Sequence, residues 1–243
     1  METKYERDFQ QFLRDCERKK DMRLAIVFKH VQNGVEFIDP YNVYIDDSVA
    51  IGAGSRIYPG VFLASNTIIG ERCTIGVGCR IENSLIGNQT DVQASHIVES
   101  HIGSECKIGP FAYIRPNCRI ADRVKIGDFV EVKNSVIGEG TKVPHLTYVG
   151  DADLGRDINL GCGVIFVNYD GSAKHRSTVE DRAFIGCNTN LISPVTIGEN
   201  AYIAAGSTIT KDVPAGALAV ARARQENVQG WVERRGLLKK KDK

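Results

Sequence analysis

Large aliphatic residues recur along the chain at a step of six. Ile51, Ile57, Leu63, Ile69, Ile75 and Ile81 keep that spacing without a break. With steps of five or six, the series then runs through Ile86, Val92, Ile97, Ile102, Ile108, Ile114, Ile120, Ile126 and Val132, and on, with one longer step, to Ile209. Glycine often follows the aliphatic, as at Gly52, Gly70, Gly87, Gly103, Gly127, Gly161 and Gly186. Two residues before it the chain places something small, such as Ser55, Cys73, Cys79, Ser95, Cys106, Cys118, Thr141 or Thr189. Side chains two apart in a strand share a face. A large and a small residue therefore point together into a narrow interior. The period predicts an all-β solenoid, a parallel β-helix of hexapeptide repeats with about 18 residues per coil. From Tyr44 to Thr210 this gives roughly nine coils and a prism some 40–45 Å long.

Solenoid ends expose core and unpaired strand edges, so they need covering. Phe9, Phe12, Leu13 and Cys16 stand at i, i+3, i+4 and i+7, the pattern of an amphipathic helix, with Gly34 as its stop. The expected organisation is a helical cap over residues 1–36, the β-helix over 37–212, and a C-terminal extension over 213–243. The Lys239, Lys240 and Lys241 run reads as solvated tail.

Composition narrows the function class. The 243 residues carry 31 basic and 30 acidic side chains, too balanced for a nucleic-acid binder. No apolar run approaches the ~18 residues that span a bilayer, and the charged start shows no signal peptide. A cytoplasmic protein is the expectation, with no membrane insertion. Its seven cysteines are then free thiols rather than a disulfide framework. Cys73, Cys79, Cys106 and Cys118 fall in the small-core register and read as core fillers, not metal ligands.

Function is sought where the repeat breaks. Phe166 and Val179 are 13 apart where six is expected. The insertion, residues 167–178, reads VNYDGSAKHRST and carries Lys174, His175 and Arg176. Ile114, Val132, Val149 and Phe166 are related by steps of 18, 17 and 17, so they stack on one face. Arg115, Lys133, Tyr148 and Asn168 lie on or beside that face. On the preceding corner Val143, Leu160 and Ile185 stack. Two residues after each come His145, Cys162 and Cys187, expected to ascend one corner about 5 Å apart. Arg115, Lys133 and Lys174 are expected to converge next to it. Clustered Arg and Lys with no evident acidic partner suit a phosphate. Histidine beside it is the default general base near neutral pH.

These residues carry a specific resemblance. The strings IGDFVEVKNSVIGEGTKVPHLTYVGDADLGRDINLGCGVIFVNYDGSAKH and ISPVTIGENAYIAAGSTITKDVPAGALAVARAR, within a match from Phe37 to Arg224, resemble one bacterial family. It is the acetyltransferase half of the bifunctional N-acetylglucosamine-1-phosphate uridyltransferase/glucosamine-1-phosphate N-acetyltransferases. The resemblance implies a left-handed parallel β-helix, a homotrimer with interface active sites, and acetyl-coenzyme A as co-substrate without a required metal. It implies His145 as catalytic base and Arg115, Lys133, Tyr148 and Lys174 as sugar-phosphate ligands. Asn159, Asn168 and Tyr169 match residues that contact the sugar or help position the acyl donor. Cys162, Cys187, Ala205 and Arg222 match the acetyl-coenzyme A site. The chain departs from the family at Pro144, usually glycine, Cys162, usually alanine, and Cys187, usually serine. Nothing resembles the nucleotide loop of the uridyltransferase half, so no uridyltransferase activity is expected.

Other readings remain open at this point. His96 and His101 suggest a zinc carbonic anhydrase, but a third histidine ligand is missing. A corner zinc on His145, Cys162 and Cys187 is awkward because the three stack in a line. An acyltransferase for a different phosphorylated amino sugar, and a catalytically weak scaffold or regulatory β-helix, are the alternatives.

Overall fold

A computed structural model describes residues 3–237. The lysine run at 239–241 lies outside the described residues. Thr3 opens the first helix, Lys4–Gln32, by accepting the Glu6 N–H at 3.2 Å, while its own N–H donates to the Glu6 carboxylate at 2.6 Å. That reciprocal box satisfies two donors that a helix start leaves unpaired. At 29 residues the helix is roughly 43 Å long. Its packing differs from the expectation. Phe9, Phe12 and Leu13 remain exposed, whereas Val27 and His30 are buried, and Val27 joins Val35 and Val43 in the core. The helix meets the prism through its last turns, because only there does the chain turn back at Asn33 and Gly34 onto the first coil. Burial pushes the His30 imidazole below its ordinary pKa, and its Nδ1 has no partner.

Beyond the helix the described residues wind through short parallel strands arranged as three sheets of 11, 10 and 9 strands. Each coil gives one strand to each sheet. The hexad aliphatics pair in register, Ile81 with Ile97, Ile97 with Ile114, Ile114 with Val132 and Val132 with Val149. They fill the prism almost without solvent contact. Three faces set this close together leave room for branched aliphatics and one buried ring, Phe166.

The small residues do more than save space. Ser55 Oγ donates to the Gly70 carbonyl at 2.8 Å and accepts the Cys73 N–H at 3.0 Å. Thr90 and Thr141 repeat this bridge between coils. Where the position is cysteine, the thiol makes a weaker version, Cys73 Sγ to Gly87 O at 3.1 Å and Cys106 Sγ to Ala121 O at 3.1 Å. Burial pushes the Cys79 and Cys106 thiols up to about 11. The glycine after each aliphatic serves close approach. A Cβ on Gly103 would lie 2.6 Å from the Ala121 carbonyl carbon of the next coil.

The array continues past residue 212. Leu218–Ala219 pairs with Tyr202–Ile203, and Val213 bridges to Ile197. A short helix, Trp231–Arg234, then stands exposed. Among the described residues no helix is long and apolar enough to cross a membrane.

All seven cysteines are free, and Cys73, Cys79, Cys106 and Cys118 are buried. In a native thiol titration these four are expected to react only after denaturation, while Cys16 and Cys187 react in the folded protein. Rapid native reaction of more than three thiols would contradict the packing.

Candidate active site

Parallel pairing in register turns equal positions of successive coils into columns. Asp128 pairs with His145, and Lys142 with Asn159, which sets Cys162 above His145. Leu160 pairs with Ile185, and Ile185 with Ile203. The corner therefore ascends Asp128, His145, Cys162, Cys187 and Ala205. Arg222 covers its top, with Cδ 3.6 Å from a Cβ position on Gly206. His145 is half exposed, and its Nδ1 lies 2.6 Å from Asp128 Oδ1. That contact holds the Asp128 carboxyl below its ordinary pKa. Beneath the histidine, a Cβ on Gly127 would collide with the Pro144 carbonyl oxygen. At the equivalent position of other coils Gly109, Gly161 and Gly186 donate to the coil above at 2.7–2.9 Å. Pro144 has no N–H, so that rung is missing next to His145.

A second cluster forms at the far end of the next strand, Tyr148–Gly150. Asp151 is its hub, with a side chain only 9% exposed. It accepts from Asn134 Nδ2 at 2.6 Å, Asn168 Nδ2 at 2.5 Å and Lys133 Nζ at 3.3 Å. Burial works against its charge, but these three donors outweigh it and hold the pKa below the carboxylate range. Tyr148 leans along its strand toward the cluster, its hydroxyl 3.4 Å from Asn168 Nδ2. Gly150 makes room for that ring, since a Cβ there would lie 2.3 Å from the phenol oxygen.

The cations converge on this hub. Burial opposes the charge on Lys133, but the Asp151 carboxylate outweighs it and raises the pKa on balance. Lys174 is pushed the other way, chiefly by neighbouring Lys133, with Arg115 adding to the effect. Positive charges gathered in this way favour an anion beside them. Arg115 stands beside them, ion-paired to Glu131 at 2.8 Å.

Among the described residues, Lys174 is the basic group of the insertion loop that has no acidic partner, unlike Arg176 and His175. Arg176 forks onto Asp153 at 2.5 and 2.6 Å, and His175 Nε2 meets Asp170 at 2.6 Å. Asp170 also accepts the Ser172 and Ala173 N–H groups, which tightens the turn and, with His175, keeps the carboxyl far below its ordinary pKa. An antiparallel bridge between Tyr169 and Lys174 completes the hairpin. Lys174 remains to face Lys133.

Two expectations need correction. The cations do have acidic partners, Glu131 and Asp151. They also converge at the opposite end of the Tyr148–Gly150 strand from His145, not beside the histidine corner. Among the described residues no hydrogen bond or ion pair joins the two groups. Asn159 lies on the face before the corner, beside Lys142 and Phe184. Tyr169 is exposed, its hydroxyl folded back onto the Gly171 carbonyl at 2.7 Å. No group of three or more His, Cys, Asp or Glu side chains among the described residues could hold a metal ion.

Comparison with known sequences places this architecture. The model of the GMPPB C-terminal domain matches residues 40–115, and that of the bacterial transferase hexapeptide (six repeats) matches residues 99–134 and 176–211. Both matches fall on the chain's hexapeptide array. Its hexads correspond to the left-handed parallel β-helix expected from the sequence. The bifunctional protein GlmU of Alkaliphilus oremlandii is 59% identical over 219 residues, which cover 90% of this chain and 48% of that protein. That of Clostridium beijerinckii is 54% identical over 224 residues, 92% of this chain and 49% of that protein. This hexapeptide-repeat chain thus spans about half the length of the curated relatives it matches. Among solved structures, the UDP-N-acetylglucosamine acyltransferase from Campylobacter jejuni is similar over 74% of this chain and 70% of that one, with 17% identity and a TM-score of 0.47.

Asp128, Glu131, Asp151 and Asn134 escaped the sequence reading. A signal existed for two of them. Asp128 precedes His145 by 17 residues and Asp151 follows Lys133 by 18, each a single coil. Replacing Asp151 by alanine strands Lys133 and Asn168 and is expected to cost about 3–5 kcal/mol. Because the folded pKa is depressed, this contribution is full above the ordinary carboxylate range and fades as pH falls through the folded value. Denaturation of D151A and wild type should therefore differ most near neutrality and converge below about pH 4. A difference that is constant with pH would contradict the assigned charge.

Proposed function

We propose that this chain transfers an acetyl group from acetyl-coenzyme A to the amine of glucosamine 1-phosphate. The observation that carries the reading is the basic cluster formed by Lys133, held by Asp151 at 3.3 Å, with Lys174 and Arg115 close by. Such a cluster suits the phosphate of a sugar phosphate through charge-assisted hydrogen bonds. Tyr148 and Asn168 border it and are suited to the sugar hydroxyls. The other half of the chemistry lies at the histidine corner. His145 Nε2 is directed away from Asp128 and has no other partner among the described residues. It acts as general base toward the acceptor amine. The column above it, Cys162, Cys187 and Ala205 with Arg222 at the top, offers an edge along which the thioester and the phosphates of the coenzyme can lie.

The amine attacks the thioester carbonyl, so a C–N bond forms and a tetrahedral oxyanion develops. His145 takes the proton that the nitrogen loses. Collapse of the oxyanion breaks the C–S bond, and the proton passes from His145 to the departing thiolate. No metal is needed for this step. Because the phosphate cluster and the histidine stand at opposite ends of one strand, the complete site is formed between copies of the chain. The cluster of one copy faces the corner of its neighbour, as a homotrimer with three equivalent interfaces allows.

Thiol release from acetyl-coenzyme A, measured with glucosamine 1-phosphate and with other amino-sugar phosphates, tests the assignment. Substrate-dependent release is expected, falling about 100- to 10,000-fold in kcat for His145→Ala. Lys133→Ala should act mainly by raising the KM for the sugar phosphate. Absence of substrate-dependent thiol from the wild type would refute the reading.

A further inference from the structure

Two histidines of the described chain contact an aspartate at 2.6 Å, and they use opposite ring nitrogens. His175 gives Nε2 to Asp170 inside the insertion loop. That pair belongs to a turn, because Asp170 also receives two backbone N–H groups. His145 instead gives Nδ1 to Asp128, its partner one coil below. No structural duty accounts for this second pair. Both side chains are substantially exposed, 51% for His145 and 39% for Asp128. An exposed ion pair contributes little stability.

From this contact we infer that Asp128 is a positioning residue for His145, fixing the Nδ1–H tautomer so that Nε2 presents its lone pair to the acceptor amine. The inference rests on the acetyltransferase reading above. A neutral imidazole carries one N–H, and its place is set by what the other groups accept. An ionised carboxylate accepts only, so at 2.6 Å it requires the hydrogen on Nδ1. It then stabilises the imidazolium that forms when Nε2 takes the amine proton. The groups facing Asp128 are consistent with an ionised carboxylate, with His145 first and Lys125 adding positive potential. The column supplies rigidity. Asp128 and His145 end paired strands, Lys125–Asp128 and Lys142–His145, whose ladder fixes their separation. Pro144 adds a fixed φ to the residue just before the histidine. The ring is thus restrained from both sides, by its backbone and by its acceptor.

The test uses the full-length chain as Asp128→Ala, Asp128→Asn and Asp128→Glu, with nitrogen-15 spectra of the histidine rings and steady-state kinetics. In the wild type the His145 ring is expected to carry its hydrogen on Nδ1, and in D128A to show a mixture of tautomers. The kcat should fall on the order of 10- to 1,000-fold in D128A, with the sugar-phosphate KM within about twofold of wild type. The kcat should fall likewise in D128N, whose amide can also donate and so no longer demands the hydrogen on Nδ1. D128E should recover much of the rate, which separates positioning from general damage to the fold. An Nε2–H tautomer in the wild type, or D128A with unchanged kcat, would overturn the inference. Failure of the wild type to transfer acetyl groups would instead overturn the reaction, and the spectra would still decide the Asp128 contact.

Discussion

Every coil of this protein must hand its backbone N–H groups to the carbonyls of the next at the fixed spacing of a parallel sheet. That constraint organises everything else. It forces equal positions of successive coils into columns, and it makes the period of the sequence a coordinate system. Inside the prism the columns are aliphatic or small, and the small column doubles as a ladder of hydroxyl and thiol bridges. Outside, the same rule stacks chemistry. Asp128, His145, Cys162, Cys187 and Ala205 share a corner because a single register runs through five coils.

Rigidity is what such a scaffold gives a site. The hub at Asp151 shows how. Its backbone is pinned to Lys133 O, its carboxylate gathers Asn134, Asn168 and Lys133, and Arg176 ties the insertion loop to Asp153 and to the Asn134 carbonyl. The loop would otherwise be a mobile surface turn. Tied in this way, it keeps Lys174 on the side of Lys133 and Arg115.

The fold was legible because its signal is redundant. Ile57, Ile75, Ile97 and Ile126 each repeat the same statement, and no single substitution would hide it. The corner column was legible for the same reason, since His145, Cys162 and Cys187 inherit their register from the aliphatics. What escaped were interactions that break no pattern. Asp128 and Asp151 sit where a solvated carboxylate is unremarkable, so a search for unpaired basic residues passed over their partners. The Phe9 to Cys16 stripe suggested packing against the prism, yet helical periodicity identifies a face without saying what covers it. Counting hexads placed the cations on the correct strand but not at the correct end of it. The separation of Lys133 from His145 emerges only when the strand Tyr148–Gly150 is seen between them.

That separation is the pivot of the functional account, because the proposed reaction then draws one site from two copies of the chain. Mixing two impaired variants tests it most directly, with the sugar phosphate held far below the raised KM of Lys133→Ala so that neither parent turns over. His145→Ala and Lys133→Ala chains are co-refolded at equal amounts and assayed for acetyl transfer. If each site joins the histidine corner of one copy to the phosphate cluster of its neighbour, mixed trimers regain intact interfaces. Random assembly then restores about a quarter of wild-type activity. If the mixture stays as inactive as its parents while hybrid assemblies are demonstrably present, each site lies within a single chain and the division is wrong.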